Sequence, residues 1–273
     1  MKNCIRVLAL AAVGLGLLST IGCDKLRARD QLNKGVSSYK NARYEEAIDH
    51  FQQAVTLDPK LLNARLYLAT ALANQYIPGV DTDDNNRTGQ QAVDEFKKVL
   101  ETNPGHDQKV TSLKGIASLY FNMKKLDMAK DYNHKVAELD PSDPEAYYSI
   151  GVIDWTQTYA PRMEERAKLG LKPEEPLKDK KVCAELKEKN WANVLDGIEA
   201  LGKAMQLRDE YDDAMAYMNL MYREKADIEC DDPAARAADL KSADEWVDKT
   251  MAAKKAKAEK QPGAQGITMD QPK

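Results

Sequence analysis

Hydrophobic residues in this sequence follow a helical spacing that restarts several times along the chain. In the segment Tyr44 to Leu57, Ala47, Phe51 and Ala54 fall at i, i+4 and i+7, one face of an amphipathic helix. Gly35 to Tyr39 reads as a preceding short helix whose glycine permits close approach, and Asn41-Ala42-Arg43 as the polar turn between the two. Asp58-Pro59 closes the unit, because proline lacks the helical N–H and disfavours helical geometry in the residue before it. One such hairpin buries too little apolar surface to stand alone, so copies must follow.

They do follow. A second copy opens at Leu61 and runs to Ala73, passes through a loop from Tyr76 to Gly89, and continues from Gln91 with Ala92, Phe96 and Val99 in the places of Ala47, Phe51 and Ala54. The third has Leu113, Ile116, Ala117 and Tyr120 on one face and Ala129, Tyr132 and Val136 on the other, around a turn at Met123-Lys124-Lys125. The fourth starts at Pro144, a residue pre-organised for the first helical position, and its helix is expected to end near Trp155. A long insertion from Thr156 to Asn190 follows, broken into short pieces by Pro161, Pro173 and Pro176, with a helical stretch from Leu177 to Trp191. Leu195 to Leu207 is the partner helix. The fifth copy joins a helix from Asp212 to Ile228 to a closing helix from Ala235 to Ala253, with Ala243, Trp246, Val247 and Met251 expected to face inward.

The recurring pattern resembles the tetratricopeptide repeat, whose W-x2-L-G-x2-Y…A-x3-F…P signature spans about 34 residues. Gly35, Ala47, Phe51 and Pro59 match it in the first copy, and Leu68, Ala69, Ala92, Phe96 and Pro104 in the second. Tyr120, Ala129 and Pro141 match in the third, Ile150, Gly151, Leu201 and Ala204 in the fourth, and the fifth is looser, with Met218-Asn219 where Leu-Gly would stand. The resemblance implies an all-α fold, an α-solenoid of about five helix-turn-helix units over residues 29–253, with insertions in the second, fourth and fifth. Residues 254–273, rich in Lys and then in Pro, Gly and Gln, are expected to be a disordered tail.

Composition fits this picture: 273 residues, 43% hydrophobic, 31% charged and 7% aromatic. The first residues stand apart. Lys2 and Arg6 precede an uncharged apolar run from Val7 to Ile21, too short for a comfortable permanent span and built like an export signal. Its end, Ser19-Thr20-Ile21-Gly22-Cys23, resembles the bacterial lipoprotein box. That resemblance implies cleavage of residues 1–22 and a lipid on Cys23, with residues 23–28 as a lipidated tether. Such an anchor holds a protein at a membrane surface without spanning it. The implied location is the bacterial cell envelope, facing the periplasm or exterior. The net charge of −4 offers no basic stripe for nucleic acid.

Candidate chemistry is sparse. His50, His106 and His134 are scattered, with no metal-ligand spacing, and read as surface or packing residues. No nucleophile elbow, phosphate-cradling glycine loop or dinucleotide fingerprint is present. The run Asp81 to Asn86 only faintly resembles a calcium loop, since Asn86 and Ala92 occupy the positions that need glycine and glutamate. The sequence therefore calls for no cofactor, no metal site and no enzymatic activity. Cys183 and Cys230 either pair in an oxidising exterior or stand as separate buried thiols.

In the resembled family the first helices of the pairs line a concave groove that receives a protein or peptide partner. Carried onto this sequence, that groove would present Tyr39, Asn74, Lys114, Phe121, Asn122, Tyr148, Trp155 and Arg223. Trp155, beside the longest insertion, has burial beneath that insertion as its equal alternative. The reading is an exported, lipid-anchored scaffold for protein–protein interaction, touching the membrane through its lipid alone and binding no nucleic acid. Its alternatives are a structural lipoprotein subunit of an envelope assembly or secretion complex and, behind that, an enzyme with a site in the 156–190 insertion.

Overall fold

The computed structural model describes residues 23–172, 175–230 and 232–260. The export signal and the end of the tail lie outside the described residues. All the described secondary structure is helical, and the chain divides after Lys125 into two compact units.

The first unit holds α1 (residues 23–40), α2 (Tyr44–Leu57), α3 (Leu62–Gln75), α4 (Asp83–Glu101) and α5 (His106–Asn122). The expected stripe of α2 is buried: Ala47, Phe51 and Ala54 are at most 1% exposed. Gly35 on α1 faces the Phe51 ring so closely that a Cβ there would lie 2.5 Å from Cε1, which explains the small residue. Ala92, Phe96 and Val99 repeat the arrangement on α4, and the Phe96 ring rests against Gly115 of α5.

α1 begins at Cys23 and takes in the tether residues, and Ala28 is fully buried. One expectation is corrected in this unit. The second half of the loop expected from Tyr76 to Gly89 is the start of α4, where Thr82 caps the helix by accepting from Asn85 N at 3.3 Å, the role short hydroxyl side chains favour. Asn85 then clamps the remaining bend. Its amide donates to the carbonyls of Ile77 and Val80, and its oxygen accepts from Ile77 N, at 2.7–2.8 Å. Of the other side chains that faintly suggested a calcium loop, Asn86 donates to Asp81 at 2.8 Å and Asp84 pairs with Arg87 at 3.2 Å.

The second unit holds α6 (Leu126–Leu139), α7 (Pro144–Lys168), α8 (Lys180–Leu207), α9 (Asp212–Asp227) and α10 (Pro233–Lys260). The insertion does not form separate pieces: α7 continues through Pro161 to Lys168, and the two helical stretches expected after it are one helix, α8. A proline inside a helix leaves carbonyls of the preceding turn without an N–H partner. The carbonyl that Pro161 itself leaves without a donor is that of Gln157; the next one, of Thr158, accepts from buried Asn190 of α8 at 3.3 Å. The insertion therefore lengthens a hairpin.

At the end of the chain, α10 runs past the expected limit at Ala253 to Lys260, so residues 254–260 are helix rather than tail. Lys257 pairs with Asp212, and Lys260 with Glu210 at 2.8 Å. Ala243 is buried and Trp246 packs on the core, but Val247 is 38% and Met251 64% exposed, contrary to the inward face expected for them.

Candidate functional site

On α7, Tyr148, Trp155, Tyr159 and Arg162 stand at i, i+7, i+11 and i+14, one side of a helix. Tyr217 of α9 fits between them. Its ring centroid lies 5.7 Å from Tyr148 and 5.4 Å from Trp155, both edge to face, and Trp155 lies 4.8 Å from Tyr159. Tyr148 also meets Tyr211 at 5.2 Å. Tyr148, Trp155 and Tyr217 are half-buried and Tyr159 is exposed, so the rings make a continuous ladder with one side in the core and one in solvent. Edge-to-face and offset pairs stabilise the arrangement by about 0.5–1.5 kcal/mol each beyond area burial. Burial, then Tyr217, Asp213 and Glu145, push the Tyr148 hydroxyl up to about 12, so it remains a neutral donor. Trp155 is a rung of this ladder, half-buried and stacked on Tyr159 of the insertion.

The ladder ends on buried charge. Arg162 lies over the Tyr159 ring at 5.7 Å, pairs with Glu224 at 2.8 Å and donates to Asp227 at 2.7 Å. Arg166, 1% exposed, donates to the same Asp227 oxygen at 2.8 Å and to the carbonyls of Lys172 and Glu175. Burial pushes the Glu224 carboxyl up to about 7 against the pull of Arg162. Arg223, expected in the groove, donates to Asn219 of its own helix at 2.9 Å and to Asp244 of α10 at 2.8 Å. Cys183 of α8 is bonded to Cys230 in the α9–α10 connection, with Cα atoms 5.6 Å apart.

In the first unit, Tyr39 and Asn74 are brought together: the Asn74 amide donates to the Tyr39 hydroxyl, and Tyr39 meets Tyr44 edge to face at 5.4 Å. Burial and the neighbouring Tyr44 raise the Tyr39 pKa. Phe121 lies beneath the Lys124 ammonium, 5.9 Å from its ring centroid, and Lys114 is exposed. Asn122 faces elsewhere, into a cavity of about 520 Å³ shared with Tyr76, Asn86, Gln90 and Lys124.

A further cluster had no signal in the sequence. The Lys130 ammonium of α6 sits 2.6 Å from Asp154 of α7 and 2.6 Å from Asp196 of α8, and His134 approaches Asp196 at 3.4 Å. Lys130 and His134 share α6 at i, i+4, but the two carboxylates come from α7 and α8 at no fixed spacing from them. Asp154 is fully buried, and burial pushes its carboxyl up to about 7 despite Lys130. Asp196, half in solvent and bonded to His134, is held down at about 2. The cluster joins α6, α7 and α8. Among the described residues no group of His, Cys, Asp and Glu could hold a metal ion, and no helix is long and apolar enough to cross a membrane. Cys23 is exposed with a free thiol.

Residues 28–61 and 115–143 match family models of the tetratricopeptide repeat. No curated protein sequence matches the chain significantly. Among solved structures, a crystal structure of MamA is similar at TM-score 0.57 and 15% identity, over 89% of this chain and 98% of that one. MamA from Desulfovibrio magneticus RS-1 is similar at TM-score 0.56 and 19% identity, over 84% and 96%. YrrB, a TPR protein with an unusual peptide-binding site, is similar at TM-score 0.51 and 14% identity, over 83% and 90%. At these identities the likeness is one of fold, and the fold is a TPR-like helical solenoid.

Proposed function

We propose that the protein is an exported scaffold, lipid-anchored at Cys23 in the bacterial cell envelope, that holds a protein or peptide partner on the faces of its first helices. The observation that carries the reading is the ladder of Tyr148, Tyr217, Trp155 and Tyr159, half-exposed aromatic area held rigidly by α7 and α9. Pre-ordered rings offer a partner large contact area at low entropic cost. Tyr39 and Asn74 offer a second, more polar contact surface in the first unit. The peptide-binding site of YrrB, a protein of like fold, supports a peptide or an extended protein segment as the partner.

The test is site-specific photocrosslinking in intact cells, with the reactive residue at Tyr148, Trp155 or Tyr159 and, as control, at exposed Met251. Discrete adducts from the ladder and none from the control are expected. The same smear from all positions would sink the reading. Mass spectrometry of the purified protein should find the mature chain beginning at an acylated Cys23, and Cys23→Ser should release it from the membrane fraction. Recovery in one fixed stoichiometric complex would instead place it as a structural subunit.

A further inference from the structure

The disulfide and the aromatic ladder are joined by an unbroken run of contacts. Cys230 follows Asp227, the last residue of α9, by a single turn of chain. The Asp227 carboxylate receives Arg162 at 2.7 Å and Arg166 at 2.8 Å. Arg162 covers Tyr159, Tyr159 stacks on Trp155, and Trp155 meets Tyr217. A helix end is where fraying begins, and here that end carries a carboxylate on which two buried guanidinium groups depend. The bond to Cys183, fully buried on α8, is the covalent restraint on this end.

We infer that the Cys183–Cys230 disulfide sets the packing of the ladder, so that its reduction by a dithiol oxidoreductase loosens the partner surface. The inference rests on the ladder being that surface. The two sulfurs differ in access: Cys183 has no exposed surface, whereas Cys230 is half-buried and lines a cavity of about 510 Å³ with Lys187, Glu188 and Glu229. The attacking thiolate therefore bonds to Cys230 Sγ. The Cys183 thiolate leaves and takes a proton. The reductant's second thiol then attacks its own sulfur in the mixed disulfide and releases Cys230 as a thiol. Two electrons and two protons pass from the dithiol, which ends as a disulfide. Asp227 then loses its tether, and Arg162 and Arg166 the carboxylate oxygen they share.

Hydrogen–deuterium exchange on the full chain tests this in the oxidised protein, after reduction with dithiothreitol and alkylation, and in C183S/C230S. Reduction should speed exchange over 155–166 and 220–230 by about tenfold, with α2 to α4 of the first unit unchanged. Unchanged protection over 155–166, with both thiols shown alkylated, overturns the inference even if the double variant fails to fold. A reductant lacking its resolving cysteine should be trapped on Cys230; trapping on Cys183 overturns the stated order of attack. Crosslinking from Trp155 should weaken on reduction, and equal adducts in both states would count against the coupling. Faster exchange with no adduct in either state would remove the binding reading and leave the coupling standing.

Discussion

The Lys130 ammonium lies 2.6 Å from Oδ1 of Asp154, a carboxylate with no exposed surface whose other oxygen has no hydrogen-bond partner. Gly197 comes close on the α8 side, where a Cβ would lie 3.0 Å from Asp154 Cβ. Removing one partner of such a pair strands the other as buried charge, at a cost of about 3–5 kcal/mol. Lys130→Met should therefore destabilise the second unit by about that amount in urea denaturation, and Asp154→Asn in the same background should restore part of it.

This cluster and the Arg162–Glu224 pair set a pH dependence. Asp154 and Glu224 both titrate near about 7 in the folded chain, well above the usual carboxylate value, so the native state holds protons that the unfolded state has released. Their contribution falls as pH rises from about 4 to about 7. The His134 pKa is raised, chiefly by its bond to Asp196, so its contribution is present below the unfolded value and lost as pH climbs through the folded one. Asp196, held at about 2, adds stability that disappears as pH falls from about 4 to about 2. Thermal melts should place the optimum near pH 4–5, and Asp154→Asn should flatten the decline above it.

Glycine contacts predict opposite outcomes at two positions. A Cβ on Gly151 would meet Leu201 Cγ at 2.4 Å, whereas one on Gly202 would find its nearest atom, Met218 Cε, at 4.0 Å. Gly151→Ala should lose about 1–3 kcal/mol through overpacking. Gly202→Ala should gain up to about 1 kcal/mol, because alanine gives up less backbone entropy in a helix. Equal effects in chemical denaturation would refute the packing account.

Ala42 holds a left-handed backbone, φ 58°, at the turn after α1. There Arg43 N donates to Ser38 O, the same closure that Lys125 N and Tyr120 O make beyond α5 and that Leu171 N and Arg166 O make around Gly170. Only the last of these turns has glycine in the strained place, with φ 64°. Ala42→Gly should stabilise the first unit by about 0.5–1 kcal/mol, visible as a higher urea midpoint.

Arg166 gives the sharpest test of the second unit's interior. One guanidinium reaches the Asp227 carboxylate and the carbonyls of Lys172 and Glu175. Arg166→Lys keeps the charge but lacks the planar fork, so it should recover little of the roughly 3–5 kcal/mol lost in Arg166→Met. Recovery close to wild type would show that charge alone matters there.

How much of this was legible beforehand varied by element. The hairpins around Ala47, Phe51, Ala92 and Phe96 follow from spacing alone, because a local period places those side chains on one face whatever lies beyond. The start of α4 was missed because Asp83 to Gly89 reads as turn chemistry until Thr82 is seen capping it. The break expected at Pro161 did not occur: α7 runs on to Lys168, and Asn190, far along the chain, ties its Thr158 carbonyl to α8. Val247 and Met251 carry the inward pattern yet lie exposed, because no described element packs over that side of α10.

What the sequence by itself determined is the repeated amphipathic helix, the turns that end each copy and the resulting helical solenoid. These depend on residues within a few turns of one another, where backbone geometry and periodicity decide. The tertiary structure alone decided which groups meet across helices: Tyr217 between Tyr148 and Trp155, Lys130 between Asp154 and Asp196, and Asp227 beneath Arg162 and Arg166. Those meetings join residues far apart in the chain, and helix packing sets the distance between them.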